Sequence, residues 1–545
     1  MKESTFPWID AVIIVLYLLS QLGIGIYFAK RQKDTSEFLL ASRNIGWFAV
    51  GLSLLASLNS ASDYIIGPAA YMEWGIVLLV GLPVTLLTFV IGLKIFVPFY
   101  QRLQIYNCYE YLEYRFNVVV RTIASLIFVS WRVGWMGVTL YLPAYVLNVV
   151  MGLPLIPTII SIGIITTVYA TLGGARAVIW TDVTQAIIMV SGIIVTIFII
   201  VGNIPGGFPQ VWNTSLEAGF FRLSLSTPGM HMEQSIWEQI TGYFRYPITI
   251  WSVILITIIA TLTTYGADHV MIQRYLSARS LKDCKRGFIL NYLAGIVYTL
   301  FFVALSMALL TYFKLNPLPE GRVYDYYFPS FINEKMPVVF KGLIIAAIFA
   351  AAQSSVSSGI SSATSVIFTN FYVRLFFGQV KVDELASAKI KKKHLLFSRL
   401  CSLSLGVAVT ALACIIPRLG TLFSLFNKIV ASFSGIMISV FLLAMFSHRC
   451  RSLGVSIGAV SGFIAVAIWG FGHQLGFFQN ELGYGWTAVV GFLVTLLAGY
   501  GISLFQRETG EGQKQWLWKN VVTRRYAAEE EPKAYVSNKI AQDCG

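Results

Sequence analysis

The chain has 545 residues, of which 56% are apolar and 12% are charged, and its mean hydropathy is +0.71. Charged residues are about half as frequent as in soluble domains, which excludes a cytosolic enzyme, a disordered chain and a coiled coil. We attribute the net charge of +14 to Lys and Arg in cytoplasmic loops, because no basic and aromatic cluster suggests nucleic-acid binding.

Long apolar stretches separated by short charged segments predict an all-α polytopic membrane protein with about thirteen transmembrane helices. The expected spans are, approximately, 8–28, 46–72, 75–100, 120–150, 155–172, 178–202, 246–268, 287–313, 339–376, 396–416, 420–446, 451–475 and 484–506. Basic residues follow alternate spans, with examples at Arg31, Arg102, Arg274, Lys391 and Arg449. These connections are therefore expected in the cytoplasm, with the N-terminus outside and the C-terminus inside.

The second span is crowded with small and polar residues between Gly51 and Asp63, and Gly67-Pro68 follows them. This pattern favours a discontinuous helix, whose freed backbone carbonyls are tolerable only beside a cavity or an ion. The alternative is a Pro-kinked helix that packs on small residues.

Asp182 lies just inside the sixth span, where a carboxylate is costly unless it is paired or binds a cation. The alternative to cation binding is an interfacial charge with Arg176 as its partner. Lys428 is deeper in the eleventh span, roughly 12 Å from its external end. Its ammonium group needs a partner there, either Asp63 or an anionic substrate, unless the side chain extends to the outer surface.

The ninth span carries a continuous stripe of hydroxyl groups on an otherwise apolar helix. At 100° per residue its serines fall within about 140° of arc, and they are Ser354, Ser357, Ser358, Ser361, Ser362 and Ser365. Serine lets helices approach closely, so helix packing is one interpretation. The other is that hydroxyl oxygens at one level replace the water shell of a small hard cation.

Three motifs of the chain resemble the sodium:solute symporter family. They are Gly173-Gly-x-x-Ala-Val-x-Trp180-Thr-Asp182-x-x-Gln185, Gln273-Arg274-Tyr275-Leu-Ser-Ala-Arg279 and Ala346-Ala-x-Phe-Ala-Ala-Ala-x-Ser354-Ser-Val-Ser357-Ser358. Within the family the chain is most similar to the sodium/iodide, monocarboxylate and multivitamin transporter branch, through segments such as Leu52-Ser-x-x-Ala56-Ser57 and Tyr109-Glu110-Tyr-Leu-Glu113-x-Arg115-Phe116. It departs from that branch at Asp268-His269, where those transporters show Asn-Gln.

The resemblance implies a core of two inverted five-helix repeats, with the second and seventh spans discontinuous. The repeats would occupy 46–202 and 246–446, joined by an extracellular loop at 203–245. The remaining segments would be an extra N-terminal helix with its cytoplasmic loop at 1–45, two C-terminal helices at 447–506 and a cytoplasmic tail at 507–545.

The resemblance also implies where sodium binds. The main site would use the carbonyls of Ala56 and Asn59 with oxygens of Ser354, Ser357 and Ser358. A possible second site would use Asp182 with Ser357 and Ser358. The candidates for substrate binding are Asp63, Tyr265, Asp268, His269, Asn427 and Lys428.

We therefore expect a sodium-coupled symporter that imports a small organic solute, a carboxylate or another anion, by alternating access. A sodium-coupled sugar or sialic-acid symporter is the alternative, and an ion channel or a membrane sensor is the hypothesis from another class. No catalytic constellation is visible, so an enzyme is not expected. The expected partners are the solute, sodium and plasma-membrane lipid, with neither nucleic acid nor an obligate protein partner.

Overall fold

A computed structural model describes residues 7–30, 32, 35–103, 105–223, 242–246, 248–319, 324–378, 388–418, 422–473, 475–478, 482–506 and 511–523. Within helices it leaves undescribed the side chains of 388–391, 418, 422–432 and 511–512. Over these ranges the fold is helical, and the only β-type pairing in them is one isolated bridge between Ile45 and Ala278.

The helices follow one another in short steps along the chain. They are α1 (Trp8–Ala29), α2 (Thr35–Leu40), α3 (Trp47–Leu58), α4 (Ala61–Trp74), α5 (Gly81–Ile91), α6 (Val97–Leu103), α7 (Tyr109–Arg115), α8 (Val118–Met151), α9 (Leu155–Gly202), α10 (Gly207–Glu217), α11 (Ile250–Gly266), α12 (His269–Ser277), α13 (Leu281–Leu315), α14 (Tyr327–Lys335), α15 (Phe340–Ile367), α16 (Arg374–Phe377), α17 (Ala388–Ile415), α18 (Leu422–Phe446), α19 (Ser452–Phe471), α20 (Thr487–Leu504), α21 (Glu511–Lys514) and α22 (Trp518–Thr523). A 3₁₀ turn at Gly75–Val80 leads into α5, and π-helical turns lie at Gly92–Phe96 and Phe368–Val373.

In the described part of the chain, nine helical runs are long and apolar enough to cross a membrane, or ten if the bent pair α11 and α12 counts as one span. The 48-residue helix α9 is about 72 Å long, more than twice the hydrocarbon core of a bilayer. It is interrupted at Gly174 (φ 59°, ψ −167°), where a side chain would also collide with Gln32 and Phe38. This interruption lies between the predicted fifth and sixth spans. The count of thirteen and the sides of the two termini stay predictions.

Two membrane-embedded helices are broken. Between α3 and α4, Asn59 and Ser60 have extended backbones, which confirms the discontinuous second span. The break precedes Pro68, which lies inside α4. Between α11 and α12 the chain bends by 42° at Ala267 and Asp268.

Two assignments of basic residues to loops were wrong. Arg274 belongs to α12 and is 1% exposed, because the helix resumes immediately after Asp268 and turns this side chain into the protein. The run from Lys389 to Lys393 lies in the first turns of α17 instead of preceding it.

Helix α15 forms the centre of the protein. Every residue from Gly342 to Val366 except Leu343 is buried, and the helix contacts α1, α8, α9 and α17. Such burial fits its composition of alanine, serine and glycine, whose small side chains let neighbouring helices approach closely.

Candidate functional site

The break between α3 and α4 frees a backbone carbonyl and turns it toward α15. In a continuous helix the amide of Ser60 would donate to the carbonyl of Ala56. Here the Ser60 amide donates to Oδ2 of Asp63 at 2.7 Å, as part of a capping box that starts α4. The free carbonyl of Ala56 instead accepts the hydroxyl of Ser354 at 2.8 Å.

The predicted main sodium ligands are only partly brought together. Ala56 and Ser354 are in contact, but the carbonyl of Asn59 accepts from Ser355 at 3.3 Å. The hydroxyl of Ser357 donates to the Ser354 carbonyl of its own helix at 3.3 Å. The arrangement offers hard and uncharged oxygen donors, the type that small hard cations take in proteins.

A second polar cluster surrounds Asp182, one helical turn from the first. Its Oδ2 accepts from Ser53 at 2.6 Å, from Ser57 at 3.1 Å and from Ser358 at 3.3 Å. The guanidinium of Arg274 forms an ion pair with the same oxygen at 3.1 Å. Oδ1 of Asp182 is buried without a hydrogen-bond partner among the described residues.

Arg274, and not Arg176, is therefore the partner of Asp182. Arg176 pairs with Glu37 at 2.8 Å and donates to the carbonyl of Ala41, because it lies on the other side of the interruption at Gly174 from the sheltered face. The Arg274 guanidinium also contacts Ser57 and Ser358. A protein cation thus lies among the residues of the predicted second sodium site, which sequence reasoning missed.

The break between α11 and α12 is surrounded by different chemistry. The phenols of Tyr100 and Tyr109 donate to the free carbonyls of Gly266 and Ala267, the latter at 3.0 Å. Asp268 caps α12 by accepting from the amide of Val270 at 2.9 Å. The carboxylate of Asp268 also forms a buried ion pair with Arg132.

His269, next in the chain, is fully buried, and neither ring nitrogen has a hydrogen-bond partner among the described residues. Its ring lies 6.3 Å from the rings of Tyr109 and Phe128. The guanidinium of Arg132 lies over the ring of Trp131 at 4.6 Å. The Asp268-His269 pair thus lies in an aromatic and charged environment.

The other substrate candidates are scattered. Asp63 is partly exposed and serves the capping box of α4. Tyr265 packs edge-on against Phe288, with ring centroids 4.8 Å apart. Asn427 and Lys428 belong to α18, but their side chains lie outside the described residues, as does any pairing of Lys428 with Asp63.

Helix α1 contributes polar contacts that the sequence analysis also missed. Tyr17 donates to the side-chain oxygen of Gln353 at 2.7 Å and accepts from Gln185 at 3.2 Å. Gln21 donates to Thr184 at 3.3 Å. Tyr17 and Gln21 are four residues apart on one face of an apolar helix, a spacing that signals a buried polar contact.

A serine-bearing central helix beside a broken helix defines a helical membrane transporter, and comparison with known proteins identifies the family. The model described as "Sodium:solute symporter family" matches residues 38–464. The chain belongs to the sodium:solute symporter family. This membership confirms a multi-pass membrane transporter with sodium as the coupled ion, and it sets aside an enzyme, a channel or a sensor.

Individual relatives cover most of the chain. The sodium/sialic acid symporter SiaT of Proteus mirabilis is 29% identical over 503 residues, which are 92% of this chain and 95% of the relative. The human sodium-coupled monocarboxylate transporter 2 is 31% identical over 420 residues, 76% of this chain and 65% of the relative. A solved substrate-bound, outward-open structure of a Na⁺-coupled sialic acid symporter matches with a TM-score of 0.79 and 26% identity, covering 92% of this chain and 99% of that one.

These matches confirm the predicted family and the similarity to the monocarboxylate branch. They also bear on the solute, because the relatives with the greatest coverage are named for sialic acid, which was the alternative.

Proposed function

We propose that the chain is a sodium-coupled symporter that imports a sialic acid or a similarly acidic sugar by alternating access. The observation that carries the solute assignment is the similarity to a sialic acid symporter over 92% of the chain. A sialic acid is both a sugar and a carboxylate, so this solute unites the anionic substrate expected first with the alternative.

For the main sodium site we propose the carbonyls of Ala56 and Asn59 with the oxygens of Ser354, Ser357 and Ser358. The 2.8 Å contact between the Ser354 hydroxyl and the Ala56 carbonyl supports this assignment. A sodium ion there joins the broken helix α3–α4 to α15. Its binding shifts the conformational equilibrium by its differential affinity for the two states.

We further propose that Asp182, with Ser357 and Ser358, offers a second cation site that Arg274 shares. The free Oδ1 of Asp182 supports this role, because a buried carboxylate oxygen without a donor has capacity for another cation. The solute would then bind near the two breaks, with Asp63, Tyr265, Asp268, His269, Asn427 and Lys428 as the candidate contacts. Sodium and solute raise each other's affinity by equal factors.

The test is uptake of radiolabelled N-acetylneuraminic acid into proteoliposomes under an inward sodium gradient and under a potassium gradient. We expect accumulation only with sodium, with Ser354→Ala shifting the sodium dependence. Ser306→Ala is the matched control, because Ser306 is equally buried and donates only to the Phe302 carbonyl of its own helix. Uptake that is independent of sodium would refute the coupling.

A short monocarboxylate is the second candidate solute, supported by the 31% identity to the human monocarboxylate transporter. Competition decides between the two. Excess unlabelled propionate should leave sialic acid uptake unchanged, whereas a neutral N-acetylated sugar should compete weakly. If propionate is itself transported and sialic acid is not, the monocarboxylate assignment replaces the first.

A further inference from the structure

The outer end of α15 begins without a cap of its own. Its N-cap residue is Val339, whose side chain has no hydrogen-bond acceptor. Val339 also has φ +78°, an uncommon conformation for a β-branched residue. A helix start needs an acceptor for its first amides, which Ser, Thr, Asp or Asn usually supplies at this position.

Helix α1 supplies the missing acceptor from a distant part of the sequence. Oδ1 of Asp10 accepts the amide of Val339 at 2.8 Å and the amide of Gly342, the third helical residue, also at 2.8 Å. Asp10 is fully buried. A carboxylate in this position also interacts favourably with the positive end of the helix dipole.

The contact requires close approach of the two backbones. A Cβ added at Gly342 would lie 2.8 Å from both Cα and the carbonyl oxygen of Asp10. The nearby Lys341 does not replace this contact, because its ammonium donates to the carbonyl of Asn333 at 2.8 Å.

The same helix holds α15 at a second point. Tyr17 of α1 bonds to Gln353, which directly precedes Ser354 in α15. Asp10 and Tyr17 therefore fix α15 at its start and beside the hydroxyl that meets Ala56. Gly342 and Ser354 are separated by about 18 Å of continuous helix, so a shift at the helix start is transmitted to the serines.

We propose that Asp10 is a positioning residue for sodium binding: by capping α15 from α1, it sets the height and rotation of the serine stripe against the break between α3 and α4. This inference rests on the proposed sodium site. It gives α1, which lies outside the two predicted repeats, a direct part in ion coupling.

The experiment measures sodium binding to purified protein through sodium-dependent thermal stabilisation, with potassium as the ionic-strength control. In Asp10→Ala we expect the half-saturating sodium concentration to rise about threefold to tenfold. In Asp10→Asn a single amide oxygen still accepts both amides, so sodium affinity should stay close to the wild-type value. In uptake assays, KM for the solute at saturating sodium should change little in either variant.

Gly342→Ala provides an independent test that keeps the carboxylate. Its added methyl group should push α1 from α15 and weaken sodium binding in the same direction as Asp10→Ala. Gly23→Ala is the control on α1, because a Cβ at Gly23 meets no atom within 4 Å. If Asp10→Ala cannot be purified, Gly342→Ala and Asp10→Asn decide the question.

Two negative results are distinguishable. If wild-type protein shows no sodium-specific stabilisation, the proposed sodium site fails. If wild-type protein binds sodium and Gly342→Ala binds it equally well, or Asp10→Ala lowers only the melting temperature, Asp10 is a structural cap and the inference is overturned.

Discussion

The two helix breaks solve the same problem with different chemistry. Each leaves carbonyls without a partner in its own helix, and each must satisfy them inside the protein. At the first break the carbonyls of Ala56 and Asn59 meet serine hydroxyls of α15. At the second break the carbonyls of Gly266 and Ala267 meet tyrosine phenols, and the cap Asp268 is paired with Arg132.

The difference indicates which break exchanges partners. A serine hydroxyl rotates and offers either a proton or a lone pair, so it can leave a carbonyl and join it in binding a cation. A buried ion pair separates only at a large desolvation cost. We therefore expect the first break to act as the ion site and the second to act as a fixed element that orients α12.

The largest expected effect is at the second break. Arg132→Met and Asp268→Asn each leave a charged group or its partner unsatisfied in a buried position, which should destabilise the protein by about 3–5 kcal/mol. The double variant Arg132→Met/Asp268→Asn should recover much of this loss, because no unpaired charge remains. Thermal unfolding in detergent measures all three. Additive losses in the double variant would contradict a coupled pair.

The next effect concerns Asp182. Asp182→Asn keeps the shape of the side chain but removes the charge that Arg274 contacts, a loss of about 1.5–3 kcal/mol for a charged hydrogen bond. Uptake should be abolished, or its Hill coefficient for sodium should fall toward one. Arg176→Ala should retain the wild-type Hill coefficient, because its partner is Glu37. Normal transport by Asp182→Asn would exclude both a cation site and an essential ion pair.

A smaller effect is expected at the first break. Ser354→Ala removes the hydroxyl that meets the Ala56 carbonyl, worth about 1 kcal/mol, and should raise the half-saturating sodium concentration severalfold. Ser357→Ala and Ser358→Ala should act in the same direction. Sodium titration of uptake gives the result, with Ser306→Ala as the control. An unchanged sodium dependence in all three variants would remove these serines from the site.

The sequence was informative where a residue type has few alternatives in a membrane. The serine stripe on α15, the polar stretch before Asp63 and the buried Asp182 were each visible as exceptions in apolar helices. The discontinuity of the second span followed from the same exceptions and is present at Asn59 and Ser60.

The partners of these residues were not predictable in the same way. The pair of Asp182 and Arg274 joins residues 92 positions apart, and Asp10 caps a helix 332 positions later. Arg274 also resembles a loop charge, because it follows an apolar span by a few residues. Nothing local in the sequence shows that the chain re-enters the protein as α12, since that depends on how α12 packs against α3 and α15.

The smallest expected effect sharpens the comparison between the breaks. Tyr109→Phe removes the one hydroxyl that donates to the Ala267 carbonyl but keeps the ring against Phe128 and His269. We expect a loss of about 1 kcal/mol of stability from the unsatisfied carbonyl, while the half-saturating sodium concentration should match that of wild type. Thermal unfolding and a sodium titration on the same preparation separate the two quantities. A sodium shift as large as that of Ser354→Ala would mean that the second break also takes part in ion binding, and the distinction between an exchanging and a fixed break would fall.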